Sequence, residues 1–381
     1  MGSAGSSTVF DERWREGVRS AQEAVLPEGS TVVTCFAPFG GGGLGRHLME
    51  IVDALHRSGR PASYICEPGA QTPTELHWPP GRATLNAMRA ALLRFSPAWQ
   101  MWAACVDFDR YAARRLPPAD HVIAFNGTAL AQFSRARGAG TRSLGLVSAT
   151  THFRTVLRQH ALAYSQYPLE RSWASRLLAR NLAEYEQAQR IYVATDHIRE
   201  SFVAAGIAEE RLVRFPLTPD LRFDDAATNG AARAAGDAGT FEILYVGGLS
   251  VVKGVPLLIE AFSRLPHEDL RLVLLGGWAT RGMRRFITRA IASDPRIEVC
   301  LGDPLVRLRD ARLYVHPSYD DGFGYAPAEA LAAGVPVIVT ENTGMKELVE
   351  SGRNGVVVPT GERDALTAAI DTVYRGELLR G

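Results

Sequence analysis

Short apolar runs along this chain alternate with longer stretches in which apolar residues recur every three or four positions. TVVTCFAPF (31–39) reads as a buried strand, being short, apolar and rich in β-branched residues. GGGGLG follows it, and then RHLMEIVDALHRSG, whose spacing is that of an amphipathic helix. ASYIC, HVIAF, SLGLV and RIYVA continue as strands, with helical stretches such as SRLLARNLAEYEQAQ between them. Strands without polar alternation, separated by helices, predict a parallel sheet covered on both faces. A charged lead-in, residues 9–25, predicts a helix ahead of the first strand.

Between 224 and 240 the pattern stops: DDAATNGAARAAGDAG holds no large apolar side chain and reads as a linker. A second series then begins with strand EILYVGG, helix VPLLIEAFSRL, strand LRLVLLGG, helix RGMRRFITRAIAS, and strands IEVCLG and LYVHPS. VPVIVT reads as a further strand and GMKELVESG as a helix. The expected organisation is α/β with two Rossmann-like, doubly wound domains facing each other across a cleft. Its parts are a tail and helix (1–28), a first domain (29–223), the linker (224–240) and a second domain (241–381). Ligands of such sheets bind at the carboxyl ends of the strands.

The totals narrow the function. At 381 residues the chain exceeds one ordinary core, and a formal charge of +1 gives no global field for nucleic acid. Four cysteines, Cys35, Cys66, Cys105 and Cys300, lack metal-ligand spacing and read as free thiols of a reducing compartment. No apolar run reaches the length of a membrane span and MGSAGSS lacks a signal-peptide core, so a cytoplasmic protein is expected. Arginine-bearing helices in RSWASRLLAR and TRGMRRFITRAI leave room for peripheral membrane contact, although arginine is this chain's default surface charge. Lysine occurs only twice, at Lys253 and Lys346.

Several places carry candidate chemistry. Gly40–Gly45 joins a strand to a helix, where glycines let backbone N–H groups approach a phosphate. The loop satisfies G-x-G-x-x-G, and Glu67 follows the next strand, so an NAD-dependent oxidoreductase is an open alternative. YVGGLSVVKG (245–254) puts Lys253 beside a glycine turn, suited to a diphosphate. In YDDGFGYAPAEALAAGVPVI (319–338), Gly322 and Gly324 make a tight turn and Pro327 suits a first helical turn. Glu329 faces the same cleft as Asp321 only if the helix begins after Gly324, and carboxylates accept from pairs of hydroxyls. His152, after a strand in SATTHFRTV, is evenly poised between structure and function. Asp107 and Asp109 of DFD, on a helical pattern, are expected on a solvated face. Trp78, Trp99 and Trp102 are expected in packing.

These residues resemble the nucleotide-sugar-dependent glycosyltransferases of family 4, retaining enzymes with the GT-B fold. That family's G-R-L-x-x-x-K-G reads here as GGLSVVKG. Its P-S-x-x-E-G-F-G-x-x-x-x-E-A-x-A-x-G-x-P-V-V reads as PSYDDGFGYAPAEALAAGVPVI. APFGGGGLGRHLMEIVDAL and RIYVATDHIRESFVAAG are similar to parts of its first domain, so the resemblance spans most of residues 31–370. It implies that Lys253 neutralises the donor diphosphate and that Glu329 accepts from the ribose. Asp321 and the N–H groups of Gly322, Phe323, Gly324 and Tyr325 would hold sugar and phosphate. Gly247, Gly248, Gly277 and Val299 complete the implied donor site. Gly41, Gly42 and Gly43 would approach the diphosphate and the acceptor, and His152 would lie near the reacting sugar. The implied partners are a nucleoside-diphosphate sugar and a hydroxyl acceptor, with neither metal nor cofactor, and no protein nucleophile is implied. A non-catalytic sugar-nucleotide-binding homologue is the other alternative.

Four departures accompany the likeness. The family's arginine is Gly248, the first acid is Asp321 rather than Glu, and PLTPD (216–220) stands for P-N-G-V-D. The chain also stops without the family's long final helix. Either that helix is absent or truncated, or the N-terminal helix takes some of its place.

Overall fold

The computed structural model describes residues 10–67, 96–220 and 239–377. Trp78 and residues 224–238 of the expected linker lie outside them. The chain divides into two compact units, one of Glu16–Leu157 and Arg171–Leu217, the other of Met1–Arg15, Arg158–Glu170 and Thr218–Gly381.

The first unit is built on β1 (Thr31–Pro38), β2 (Ala62–Glu67), β3 (His121–Phe125), β4 (Ser143–Ser148), β5 (Arg190–Val193) and β6 (Leu212–Arg214). All pair in parallel, in the order β2-β1-β3-β4-β5-β6. Helix α1 (Glu12–Val25) precedes β1, and the crossovers that parallel strands need include helices α2 (Gly42–Arg57), α3 (Pro97–Arg115), α4 (Leu130–Gly138), α5 (Phe153–Gln166), α6 (Leu178–Gln187) and α7 (Asp196–Val203). Every side chain of HVIAF is buried, the continuous burial that a doubly covered strand requires. Gln22 of α1 donates to Glu50 Oε2 (3.0 Å) and to the Pro216 carbonyl (2.8 Å), seating the lead-in helix on this unit.

The second unit repeats the architecture with β7 (Phe241–Val246), β8 (Leu270–Leu275), β9 (Ile297–Cys300), β10 (Leu313–His316), β11 (Val337–Thr340) and β12 (Gly355–Val358). These are again parallel, in the order β12-β11-β10-β7-β8-β9, with α8 (Val255–Phe262), α9 (Arg281–Ser293), α10 (Pro304–Leu308), α11 (Tyr325–Ala332) and α12 (Arg363–Tyr374). Its core gathers Leu258, Phe262, Leu272, Leu274, Ile287 and Ile370 with Ala163 from the C-terminal half of α5 and Tyr167 just after it.

Three expectations change. GMKELVESG forms only a 3₁₀ turn, Gly344–Leu348, because side chains take the backbone groups that a helix would need. Asn354 Oδ1 accepts from Glu350 N (2.8 Å) and Asn354 Nδ2 donates to Leu348 O (3.0 Å). Asp109 is not solvated: it is 1% exposed, accepts from the N–H groups of Ala131 (2.8 Å) and Gln132 (3.1 Å), and pairs with Arg180. Helix starts leave N–H groups without intrahelical acceptors, and this carboxylate satisfies two of them at α4. Arg180 is therefore buried rather than available to an external surface, and it also meets Glu184 Oε1 at 3.3 Å.

All four cysteines are free, with Cys35, Cys66 and Cys105 buried. Among the described residues no helix is long and apolar enough to cross a membrane.

Candidate functional site

The loop leaving β7 is tied to its neighbours by backbone bonds. Leu249 N donates to Gly277 O (2.9 Å) and Ala279 N to Leu249 O (3.1 Å), holding it to the end of β8. Tyr319 N donates to Val252 O (2.9 Å), joining it to the loop that leaves β10. Such closeness requires Gly254, with φ +72°, where a Cβ would stand 1.9 Å from the Pro317 carbonyl oxygen. Lys253, one residue earlier, is thereby carried to the β10 loop, and its Nζ lies 2.5 Å from Asp321 Oδ2.

Asp321 is held by its backbone as well. Its N–H donates to Asn342 O (3.0 Å) and its carbonyl accepts from Gly344 N (2.9 Å). Burial alone would raise its carboxyl pKa, but the Lys253 ammonium and a hydrogen bond from His316 prevail and hold it well below the usual range. His316 Nε2 lies 2.9 Å from that same Oδ2.

Gly324 caps α11 with positive φ, and the helix opens at Tyr325 as the spacing required. Glu329 is consequently buried on α11, at 6% exposure. Burial first, and then the charges of Tyr245, Glu329 and Asp321, push up the phenol of Tyr314, so both carboxylates act on one side chain. Tyr314 Oη in turn donates to Val246 O (3.2 Å), where the Lys253 loop begins. Lys253 and Asp321 thus meet at the carboxyl ends of β7 and β10, and Glu329 lies on the helix that follows the β10 loop. Gly277 and Val299 lie on the β8 and β9 side of this arrangement, and a Cβ on Gly248 would meet nothing within 4 Å.

Sequence reading missed two histidines of this unit. His316 closes LYVH, an apolar strand whose single basic residue directly precedes Pro317, and that was the available signal. His160 on α5 is 5% exposed, and burial followed by the Lys253 charge takes its pKa down to about 4. Nothing local in RQHALAY indicates that neighbour, because it arrives from 93 residues further along the chain.

In the first unit the glycine loop is closed by Gly40 N to Gly45 O (3.0 Å) and Gly45 N to Gly41 O (3.0 Å). Gly42 and Gly43 are exposed at the start of α2, where N–H groups have no intrahelical acceptor. Glu67 ends β2, half-buried, with its carboxyl raised by burial. His152 is 2% exposed between Tyr185 and Phe202, with ring centroids 5.0 and 5.1 Å away. Its Nδ1 accepts from Arg154 N (3.4 Å), and burial lowers its pKa to about 4, so the ring is neutral.

Two parallel six-stranded sheets of this topology define the GT-B class, and solved structures agree. The chain superposes on sucrose-phosphate synthase from Thermosynechococcus elongatus with a TM-score of 0.63 at 17% identity, covering 91% of this chain and 90% of that one. It superposes on Anabaena HepE in complex with UDP and glucose at 0.59, with 17% identity and 91% of each chain covered. Residues 232–380 match the family described as Glycosyl transferases group 1, and this stretch is a group 1 glycosyltransferase domain. D-inositol 3-phosphate glycosyltransferase from Pseudarthrobacter chlorophenolicus is 29% identical over 213 residues, 53% of this chain and 48% of that protein. The chain spans about half the length of the curated relatives it matches.

Proposed function

We propose that the protein is a retaining, metal-independent glycosyltransferase that moves a sugar from a nucleoside diphosphate to a hydroxyl acceptor. The observation that carries this reading is the Lys253–Asp321 pair at adjoining strand ends, with buried Glu329 on the helix that follows, in a stretch that matches group 1 glycosyltransferases. Lys253 is the ligand for the diphosphate: its ammonium neutralises charge that grows as the sugar–phosphate bond breaks. Exchanging Asp321 for a phosphate keeps that ammonium paired throughout. Glu329 accepts from the two ribose hydroxyls, and Asp321 with the amides of Gly322–Tyr325 receives sugar hydroxyls and phosphate oxygens. In the first unit, Gly42 and Gly43 offer helix-start amides to an anion, Gly41 turns the loop with its own N–H on the Pro38 carbonyl (2.9 Å), and His152 is assigned to the reacting sugar.

The test is binding and turnover together. UDP, GDP, ADP, TDP and NAD are added without metal in a thermal-shift series, and nucleoside diphosphate release from the matching glucose donors is followed. One base should stabilise the protein. Lys253→Ala and Glu329→Ala should each lose about tenfold to a hundredfold in kcat/KM while folding normally, as expected for one charge-assisted contact. Wild-type rates in both variants would defeat the site, and stabilisation by NAD alone would favour the oxidoreductase.

A further inference from the structure

His316 has no role in the reading above, yet its ring is 3% exposed and abuts the group that matters most. It lies nearly parallel to Tyr245 (centroids 6.4 Å, interplanar 10°) and Tyr314 (6.3 Å, 18°), which leaves it little freedom to turn. Its Nε2 meets Asp321 Oδ2, and its Nδ1 is buried with no hydrogen-bond partner. An ionised carboxylate only accepts, so Nε2 carries the proton and Nδ1 is bare.

Two groups therefore compete for one oxygen, and they differ in freedom. The Lys253 side chain is 34% exposed on a long flexible stem, whereas that of His316 is 4% exposed and walled by two tyrosines. A diphosphate offers the ammonium several strong acceptors, so Lys253 is the partner that leaves. Among the described residues, His316 is then the remaining side-chain partner of Asp321 Oδ2, and an aspartate has a shorter reach than glutamate.

We propose that His316 is a positioning residue of the donor site: its Nε2–H keeps Oδ2 of Asp321 occupied after Lys253 has turned to the diphosphate, so that Oδ1 is presented to the transferred sugar. This rests on the proposed function. It makes His316 a determinant of sugar recognition, while affinity for the bare nucleotide lies elsewhere. The groups bearing on the imidazole are Asp321 and Lys253, with Tyr245 and Tyr314 against its faces.

The decisive quantity is the ratio of affinities for a nucleoside-diphosphate glucose and the same nucleoside diphosphate, measured by calorimetry with the uridine, guanosine and adenosine pairs. His316→Leu should lower that ratio by about tenfold, the loss of one charge-assisted contact, while leaving nucleotide affinity within about twofold. His316→Gln places an amide nitrogen near Nε2 and should keep the ratio; His316→Asn, which imitates Nδ1, should not. An unchanged ratio in His316→Leu, or equal losses in the Leu and Gln variants, overturns the inference alone. If wild-type protein binds none of the nucleotides, the donor-site reading falls and this role with it. Should His316→Leu fail to fold, imidazole nitrogen NMR of the wild type decides. The Nε2–H signal should persist with bound nucleotide and shift in Asp321→Asn; its loss on nucleotide binding overturns the proposal.

Discussion

At position 248 a glycine stands where the resemblance implies an arginine, and the space around it is open. Its carbonyl already accepts from Tyr245 Oη (3.0 Å), so the backbone there is held independently of any side chain. Gly248→Arg is therefore expected to fold normally and to tighten nucleoside-diphosphate binding by about tenfold through a new charge-assisted contact. Unchanged or weaker affinity by calorimetry would show that the diphosphate lies elsewhere. A second residue-scale prediction concerns His47, 2% exposed beside Phe125 and Phe215, whose pKa burial takes down to about 3. The unfolded chain gains a proton at this residue below its ordinary value of 6.5, and the folded chain does not. Stability from this group is thus lost as pH falls from 6.5 toward 3. Relative to wild type, His47→Phe should become more stable by about 1.4 kcal/mol for each pH unit below that value. Urea unfolding of both proteins at pH 7, 6 and 5 measures the difference, and a constant difference would refute it.

At the scale of elements, α4 depends on the cluster of Asp109, Arg180 and Glu184. Glu184 Oε2 accepts from Gly127 N (2.5 Å) and Oε1 from Ala129 N (2.8 Å), while Arg180 Nε donates to Gly127 O (2.6 Å). Burial raises the Glu184 carboxyl to about 7 against the pull of Arg180. Removing the guanidinium leaves two buried carboxylates with their backbone N–H donors but without the positive charge of Arg180. Arg180→Ala should cost about 3–5 kcal/mol, read as a lower denaturant midpoint at unchanged slope; a loss under about 1 kcal/mol would be incompatible with the cluster. None of this was visible in DFD or SRLLARNLAEYEQ, because periodicity reports which face a residue occupies and not what packs on that face. Elements with strong periodicity were legible: HVIAF and RGMRRFITRAIAS are a strand and a helix with the expected limits. GVVV, a four-residue strand behind a turn, was too short to stand out.

Across the molecule, a nucleoside diphosphate at a hundred times its Kd should stabilise the chain by about 2.7 kcal/mol. Hydrogen-exchange protection is expected to concentrate in residues 247–254 and 316–329. Protection centred on 40–45 instead would move the nucleotide to the first unit's glycine loop. The two sheets were readable from alternation alone, since a doubly covered parallel strand must be apolar along its length and its crossover must be amphipathic. The spacing from Asp321 through Gly324 to Glu329 likewise placed the helix start between the two acids, because glycine at the cap and proline in the first turn leave few other geometries. Partners were a different matter. Lys253 meets Asp321 over 68 residues of sequence, and His160 comes near Lys253 over 93. Which charge neutralises which, and which histidine stands behind the aspartate, follows from strand order and loop approach, and those are set by packing of the whole sheet.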